Sequence, residues 1–337
     1  NLLVGIDLGT SQSTISTSAG ERRLVDSYVG WPVDSIAKKI LKKSVVFGEE
    51  AVENRTMLDL YRPLENGLLK EGAEKDQQAI RALLEHLMDL AGVSDARKKG
   101  AKVRAVIGVP AEALRVNKQN VRKAMKGFVD GLIIVSEPFA VAYGLDTLLH
   151  AIVVDVGAGT TDFCVMMGRY PTDEDQRTLT NAGDWVDAQL MKLLEERHPG
   201  ISVSIHTVRE WKEKWSFMGK PEKPVTVSIP IGGKPSEIDI TEEMRLACEA
   251  LWPPVAETML DLIAAVESEY QEQVRNNVIL AGGSSSIPGF SAHLGKALRD
   301  YGGGKIRVVK DPVYVGANGG LALAKDAPKS DWEKLGK

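Results

Sequence analysis

Two short stretches of the chain hold residues whose types and spacing suit phosphate and cation chemistry. In Val153-Val154-Asp155-Val156-Gly157-Ala158-Gly159-Thr160-Thr161-Asp162 an apolar run ends in an aspartate and passes at once into small residues. The chain turns sharply there, and backbone N–H groups stay open to a phosphate because no bulky side chain covers them. Asp155, just past the buried run, is placed to hold magnesium through water, since that ion keeps most of its hydration shell. The pattern recurs in Val4-Gly5-Ile6-Asp7-Leu8-Gly9-Thr10-Ser11-Gln12-Ser13-Thr14: aligning Asp7 with Asp155 sets Gly9 against Gly157 and Thr14 against Asp162. A lone glycine turn after a strand serves an ordinary tight turn as readily as a phosphate. A matched pair, each with its own aspartate, favours the phosphate.

A second echo joins the first. Glu137-Pro138, before Ala140-Val141-Ala142-Tyr143-Gly144, matches Asp311-Pro312, before Val315-Gly316-Ala317-Asn318-Gly319. The two halves of this pair stand farther apart than Asp7 and Asp155, as an insertion in the second half would produce. Two related lobes, each giving one phosphate turn and one acidic-Pro helix start, would clamp a nucleotide between them.

Periodicity supplies the elements that must carry these turns. Residues 2–6, 14–17 and 24–29 read as three strands of an antiparallel meander. Residues 30–66 read as a small insertion, in which Lys38, Lys39, Lys42 and Lys43 flank Ile40 and Leu41. That segment suits a membrane-surface helix or, more simply, a solvated helix face. Ile80, Leu83, Leu84, Leu87 and Met88 form the stripe of an amphipathic helix. A buried strand is expected at 103–109, further strands at 131–136, 151–156 and 306–309, and another buried strand feeds the turn Gly282-Gly283-Ser284. Ser136 can cap the helix that Glu137-Pro138 begins. A second insertion, 184–241, holds a helix at 208–218, with Trp211 and Trp215 read as core, and a strand region at 225–240. One long helix is expected over 251–269, and a polar, exposed tail over 325–337.

The 337 residues suffice for about two domains. With 43% hydrophobic and 26% charged residues and a net charge of −4, the chain resembles neither a nucleic-acid binder nor a disordered protein. Cys164 and Cys248 lie far apart without CxxC spacing, which argues for reduced, buried thiols over a zinc site or disulfide. No apolar run spans a bilayer and no basic-apolar leader opens the sequence, so a cytoplasmic location is expected.

With these stretches in place, the chain resembles the actin, sugar-kinase and heat-shock chaperone ATPase superfamily over nearly its whole length, and within it the actins. Asp7-Leu8-Gly9-Thr10-Ser11 is similar to the family's first phosphate loop, Asp155 to Thr161 to its second, and Gly282-Gly283-Ser284 to its adenosine loop. The helices after Glu137 and Asp311 resemble its connecting segments. Phe47-Gly48-Glu49-Glu50-Ala51 and Tyr61-Arg62-Pro63-Leu64-Glu65-Asn66-Gly67 resemble the exit from the small subdomain of actins. Arg209-Glu210-Trp211-Lys212-Glu213-Lys214 resembles their adenine and ribose helix. Thr14 stands where eukaryotic actins carry a phosphate-binding lysine and Glu137 where they carry glutamine. Both departures match bacterial actins, and the whole is most similar to the magnetosome-associated type.

The resemblance implies an α/β, duplicated actin-like (ribonuclease H-like) fold of two lobes with a nucleotide cleft between them. Lobe I would span 1–144 with its insertion at 30–66. Lobe II would span 145–337 with its insertion at 184–241, the helix after 311 returning toward lobe I. In this frame Asp7 and Asp155 order the water shell of magnesium, and Gly9, Thr10, Ser11, Gly157, Ala158, Gly159 and Thr160 bind the phosphates of ATP or ADP. Gly183, Lys212, Glu213, Gly282, Gly283 and Ser284 complete the nucleotide site, and Glu137 orients or deprotonates the attacking water. Outside this frame Glu137 is a favourable charge in a helix first turn, and Lys212 and Glu213 are an exposed helix face.

The implied activity is that of a cytoplasmic ATPase which assembles with itself, head to tail, into a cytoskeletal filament that positions magnetosomes. Magnetosome or membrane-associated adaptor proteins are the further partners implied, with no nucleic acid and no membrane segment of its own. Three alternatives stay open. A chaperone would share the lobes and add a peptide-binding domain, a sugar or acetate kinase would need an acceptor pocket, and a scaffold without turnover would carry an inert Glu137.

Overall fold

The computed structural model describes residues 1–65 and 74–334. Asn66 and Gly67, part of the expected small-subdomain exit, lie outside them. Contacts divide the chain into two units, the first drawn from Asn1–Leu149, Met166–Thr178 and Lys310–Lys337 and the second from His150–Val165 and Leu179–Val309.

The first unit opens with β1 (Leu2–Leu8), β2 (Gln12–Thr17) and β3 (Arg22–Asp26), paired antiparallel as the sequence predicts. The third strand stops at Asp26, short of the expected 29. Ser27 leaves the ladder because its N–H donates to the Ser11 carbonyl and its Oγ to the Gly9 carbonyl, at 2.7 Å each.

The insertion that follows contains β4 (Val29–Pro32), α1 (Ser35–Leu41), β5 (Val46–Phe47), α2 (Gly48–Glu53) and β6 (Leu58–Tyr61), with β4 central in a three-stranded sheet. Asp34 caps α1 by accepting from the Ala37 N–H, and Ala37 is the helix's buried residue. Ile36 and Ile40 are exposed, which does not separate a solvated face from a membrane-surface helix.

Two helices, α3 (Glu74–Leu90) and α4 (Val93–Lys98), lead into β7 (Val103–Val109). They are followed by α5 (Ala111–Met125), β8 (Gly131–Ser136) and α6 (Glu137–Gly144). The α3 stripe, Ile80, Leu83, Leu84, Leu87 and Met88, is wholly buried and meets Ile6, Leu8, Ile15 and Ile107 in one core cluster.

The second sheet begins with β9 (Leu149–Val156), β10 (Thr161–Met167) and β11 (Gln176–Leu179). After them come α7 (Gly183–Arg197), α8 (Ile205–Trp215) and the hairpin β12 (Thr226–Ile231) and β13 (Lys234–Asp239). The hairpin turns at Gly232 and Gly233, both at positive φ, which a two-residue turn between twisted strands requires.

Helices α9 (Thr241–Glu249), α10 (Trp252–Ala265) and α11 (Ser268–Arg275) precede β14 (Val278–Ala281), α12 (Phe290–Arg299) and β15 (Ile306–Val308). The single helix expected over 251–269 is therefore two. Val266 is extended, and the Gln271 side chain takes the carbonyls of Ala264 and Val266. Trp211 is core, as expected, whereas Trp215 is only partly covered and lies beneath the Lys214 ammonium.

The chain closes with α13 (Val315–Asp326) and β16 (Glu333–Lys334), which pairs with β8. The tail is thus not simply polar and exposed: Trp332 is buried, and the Arg104 guanidinium sits over its ring.

The order β3-β2-β1-β7-β8 in one sheet is repeated as β11-β10-β9-β14-β15 in the other. β1 pairs in parallel with β7 and β7 with β8, and β9 likewise with β14 and β14 with β15. The echo between Asp7 and Asp155 is therefore an echo of architecture: each lies near the end of the central strand of its sheet.

Candidate functional site

In the second unit, four separate stretches of sequence converge. Gly157 N–H donates to the Thr160 carbonyl at 2.9 Å, closing the turn after Asp155 and spending that N–H within it. Thr160 Oγ1 donates to Asp162 Oδ2 at 2.7 Å, and both residues are buried. The start of α7 is stitched to the same turn, with Gly183 N–H on the Gly157 carbonyl at 3.0 Å and Asp184 N–H on the Ala158 carbonyl at 2.7 Å. The Gly157 carbonyl also accepts Ser284 Oγ at 3.0 Å.

Glycine is needed at two of these positions. Gly282 has φ +83, and a Cβ there would lie 2.5 Å from Asp155 Oδ1; one on Gly183 would lie 2.8 Å from Ser284 Oγ. The turn at 157–160, the start of α7 and the turn at 282–284 are thereby held within a few ångströms of one another.

Helix α8 adds Lys212. Its Nζ donates to the Gly183 carbonyl at 2.9 Å and pairs with Asp187 Oδ1 at 2.7 Å. Lys212 is 8% exposed, so the exposed-face reading fails for it, while Glu213 and Lys214 beside it do face solvent. Sequence reasoning missed Asp187, Asp184 and Arg209. Their signal was there as matched spacing, acids at 184 and 187 on one helix and bases at 209 and 212 on another.

In the first unit, the turn joining β1 to β2 carries Gly9, Thr10 and Ser11. Ser27 Oγ donates to the Gly9 carbonyl and pairs with Ser13 Oγ at 2.8 Å, and Arg62 Nε donates to the Thr10 carbonyl at 3.1 Å. Ser27 and Arg62 are supports that the sequence did not reveal. Thr14 is 3% exposed, and its Oγ1 has no hydrogen-bond partner among the described residues. Ser136 occupies the N-cap position of α6 without a side-chain capping bond, which corrects the capping expectation. Its Oγ is buried and likewise lacks a partner among the described residues. Glu137 is half-buried, its Cγ packed over Gly108.

Burial pushes the Asp7 carboxyl up to about 7 from its ordinary 3.8. A hard divalent cation would offset that cost, and a carboxylate is its preferred donor. Among the described residues no three His, Cys, Asp or Glu side chains cluster as a metal cage. Cys164 and Cys248 are both buried thiols outside any disulfide among the described residues, and burial pushes the Cys248 thiol up to about 11, where it is inert. Among the described residues no helix is long and apolar enough to cross a membrane.

Comparison with known proteins gives the family and the fold. The family model described as MreB/Mbl protein matches residues 1–331. The chain is 41% identical to the actin-like protein MamK of Paramagnetospirillum magneticum (strain ATCC 700264 / AMB-1), over 99% of this chain and 95% of that one. Among solved structures, the MamK double helical filament aligns with TM-score 0.91 and 40% identity, covering 97% of this chain and 99% of that chain. A non-polymerising MamK mutant bound to AMPPNP aligns with TM-score 0.72 and 40% identity, covering 96% and 99%. The fold is actin-like, and the chain belongs to the MreB/Mbl family of bacterial actins.

Proposed function

We propose that this protein is an ATP-driven, filament-forming bacterial actin that hydrolyses ATP and serves as a cytoplasmic scaffold for positioning magnetosomes. The observation that carries the reading is the convergence of the 157–160 turn, Gly183, Lys212 and the 282–284 turn around one another. Similarity to the MamK double helical filament, at 40% identity and TM-score 0.91, supports assembly, and the AMPPNP-bound MamK mutant supports an adenine nucleotide. Assembly and magnetosomes enter through that likeness alone.

The residues divide the work. The backbone N–H groups at 9–11 and 158–160 cradle the phosphates of ATP, that of Gly157 being spent within its turn, and the Thr14 hydroxyl, buried without a partner among the described residues, donates to a phosphate oxygen. Gly183, Lys212, Glu213 and the 282–284 turn hold the nucleoside. Glu137 orients the attacking water; phosphoryl transfer asks mostly for positioning and charge stabilisation, which one carboxylate can provide. Asp7 and Asp155 hold magnesium through its water shell, and the ion supplies charge neutralisation at the phosphates. Adaptor proteins linking the filament to magnetosomes complete the proposal.

Negative-stain electron microscopy tests it. Filaments in magnesium-ATP and none without nucleotide are expected. Single particles under both conditions, with ATP bound, would refute assembly and favour a kinase-like or chaperone-like ATPase.

A further inference from the structure

Asp187 is fully buried on α7, yet it is an acid facing two bases on another helix. Lys212 Nζ approaches Oδ1 at 2.7 Å, and Arg209 Nε donates to Oδ2 at 3.1 Å. Arg209 also reaches Asp184 Oδ1 at 3.3 Å. A buried ammonium without a counter-charge either gives up its proton or swings to water. Asp187 supplies the counter-charge and holds Lys212 in one place.

That place is linked by hydrogen bonds to the rest of the candidate site. Lys212 donates to the carbonyl of Gly183, whose own N–H donates to the carbonyl of Gly157, which also accepts Ser284 Oγ. Of the three donors of the ammonium, one is on the Gly183 carbonyl; the contact with Asp187 is an ion pair, Oδ1 having no hydrogen-bond partner among the described residues. If Asp187 only stapled α7 to α8, Arg209 with Asp184 and Asp187 would be sufficient. Lys212 instead spans from Asp187 to the carbonyl of Gly183 at the start of α7, the residue whose own N–H is bonded to the Gly157 carbonyl.

We propose that Asp187 is a positioning residue for the nucleoside end of ATP. It fixes Lys212, and with it the adjacent Glu213, against the base and ribose, and it has no part in holding the triphosphate. The inference rests on the reading of Lys212 and Glu213 as nucleoside contacts.

The test compares ATP with inorganic triphosphate, each titrated calorimetrically into the full chain as wild type, Asp187→Asn and Lys212→Gln. Asp187→Asn is expected to weaken ATP about tenfold, the scale of one lost charge-assisted contact, and to leave triphosphate affinity within about twofold. Equal weakening of both ligands would mean a merely structural role, and no change in either would mean none; each overturns the inference. If Lys212→Gln binds ATP as the wild type does, the nucleoside reading itself fails, whatever Asp187→Asn does. Should Asp187→Asn not fold, the double variant with Lys212→Gln removes both charges together. It is expected to bind ATP as Lys212→Gln alone does, and a further loss on top would overturn the inference.

Discussion

Gly316 of α13 lies flat against the Asp7 carboxylate, so close that a Cβ there would overlap Oδ2. A side chain at 316 must displace the carboxylate, because the backbone of a packed helix yields less readily than a side chain. Gly316→Ala is predicted to lower kcat/KM for magnesium-ATP roughly tenfold to a hundredfold, the scale of a misplaced catalytic group. Steady-state phosphate release measures it, and wild-type kinetics would remove Asp7 from the site.

Asp7 also sets a pH dependence. The native state holds its proton up to about pH 7, whereas the unfolded carboxyl releases it near 3.8. Stability from this group is therefore greatest below pH 3.8 and declines as pH rises toward 7, by up to roughly 4 kcal/mol. Asp7→Asn removes the charge, so in EDTA its Tm should exceed the wild type's at pH 8 and approach it at pH 4. A constant difference between the two proteins from pH 4 to 8 would contradict the assignment.

Glu137→Ala should bind ATP and assemble, yet release phosphate about a hundredfold more slowly and disassemble slowly. Normal phosphate release by that variant would reduce Glu137 to a helix-start charge.

Helices α6 and α13 cross with almost no space between them. A Cβ on Gly319 would overlap the Ala140 carbonyl, and one on Gly144 would lie 2.9 Å from Gly319 Cα. Overpacked interiors cost about 1–3 kcal/mol where side chains can give way, and here the obstacle is backbone. Gly319→Leu should therefore cost more than 3 kcal/mol or prevent folding, read from urea denaturation of the soluble fraction.

How far the sequence could be read depended on whether a signal lay along one element or between two. Strands 103–109 and 131–136 were legible because apolar runs meet Pro110 and Glu137-Pro138, which cannot extend them. The α3 stripe was legible because burial follows its period. The Asp187 clamp was not: charges at 184, 187, 209 and 212 each resemble a solvated face until α7 and α8 are laid side by side. Ser27 was hidden for the same reason, since a strand pattern cannot show that its hydroxyl is drawn to Gly9. Trp332 escaped because a single aromatic in a polar tail has no period.

The central claim is that nucleotide turnover and assembly occur in one molecule. Right-angle light scattering of the purified protein on adding magnesium-ATP, with phosphate release followed in the same cuvette, tests it most directly. A rise in scattering accompanied by phosphate release is predicted. Phosphate release with flat scattering would contradict the account and leave an actin-fold ATPase that does not polymerise.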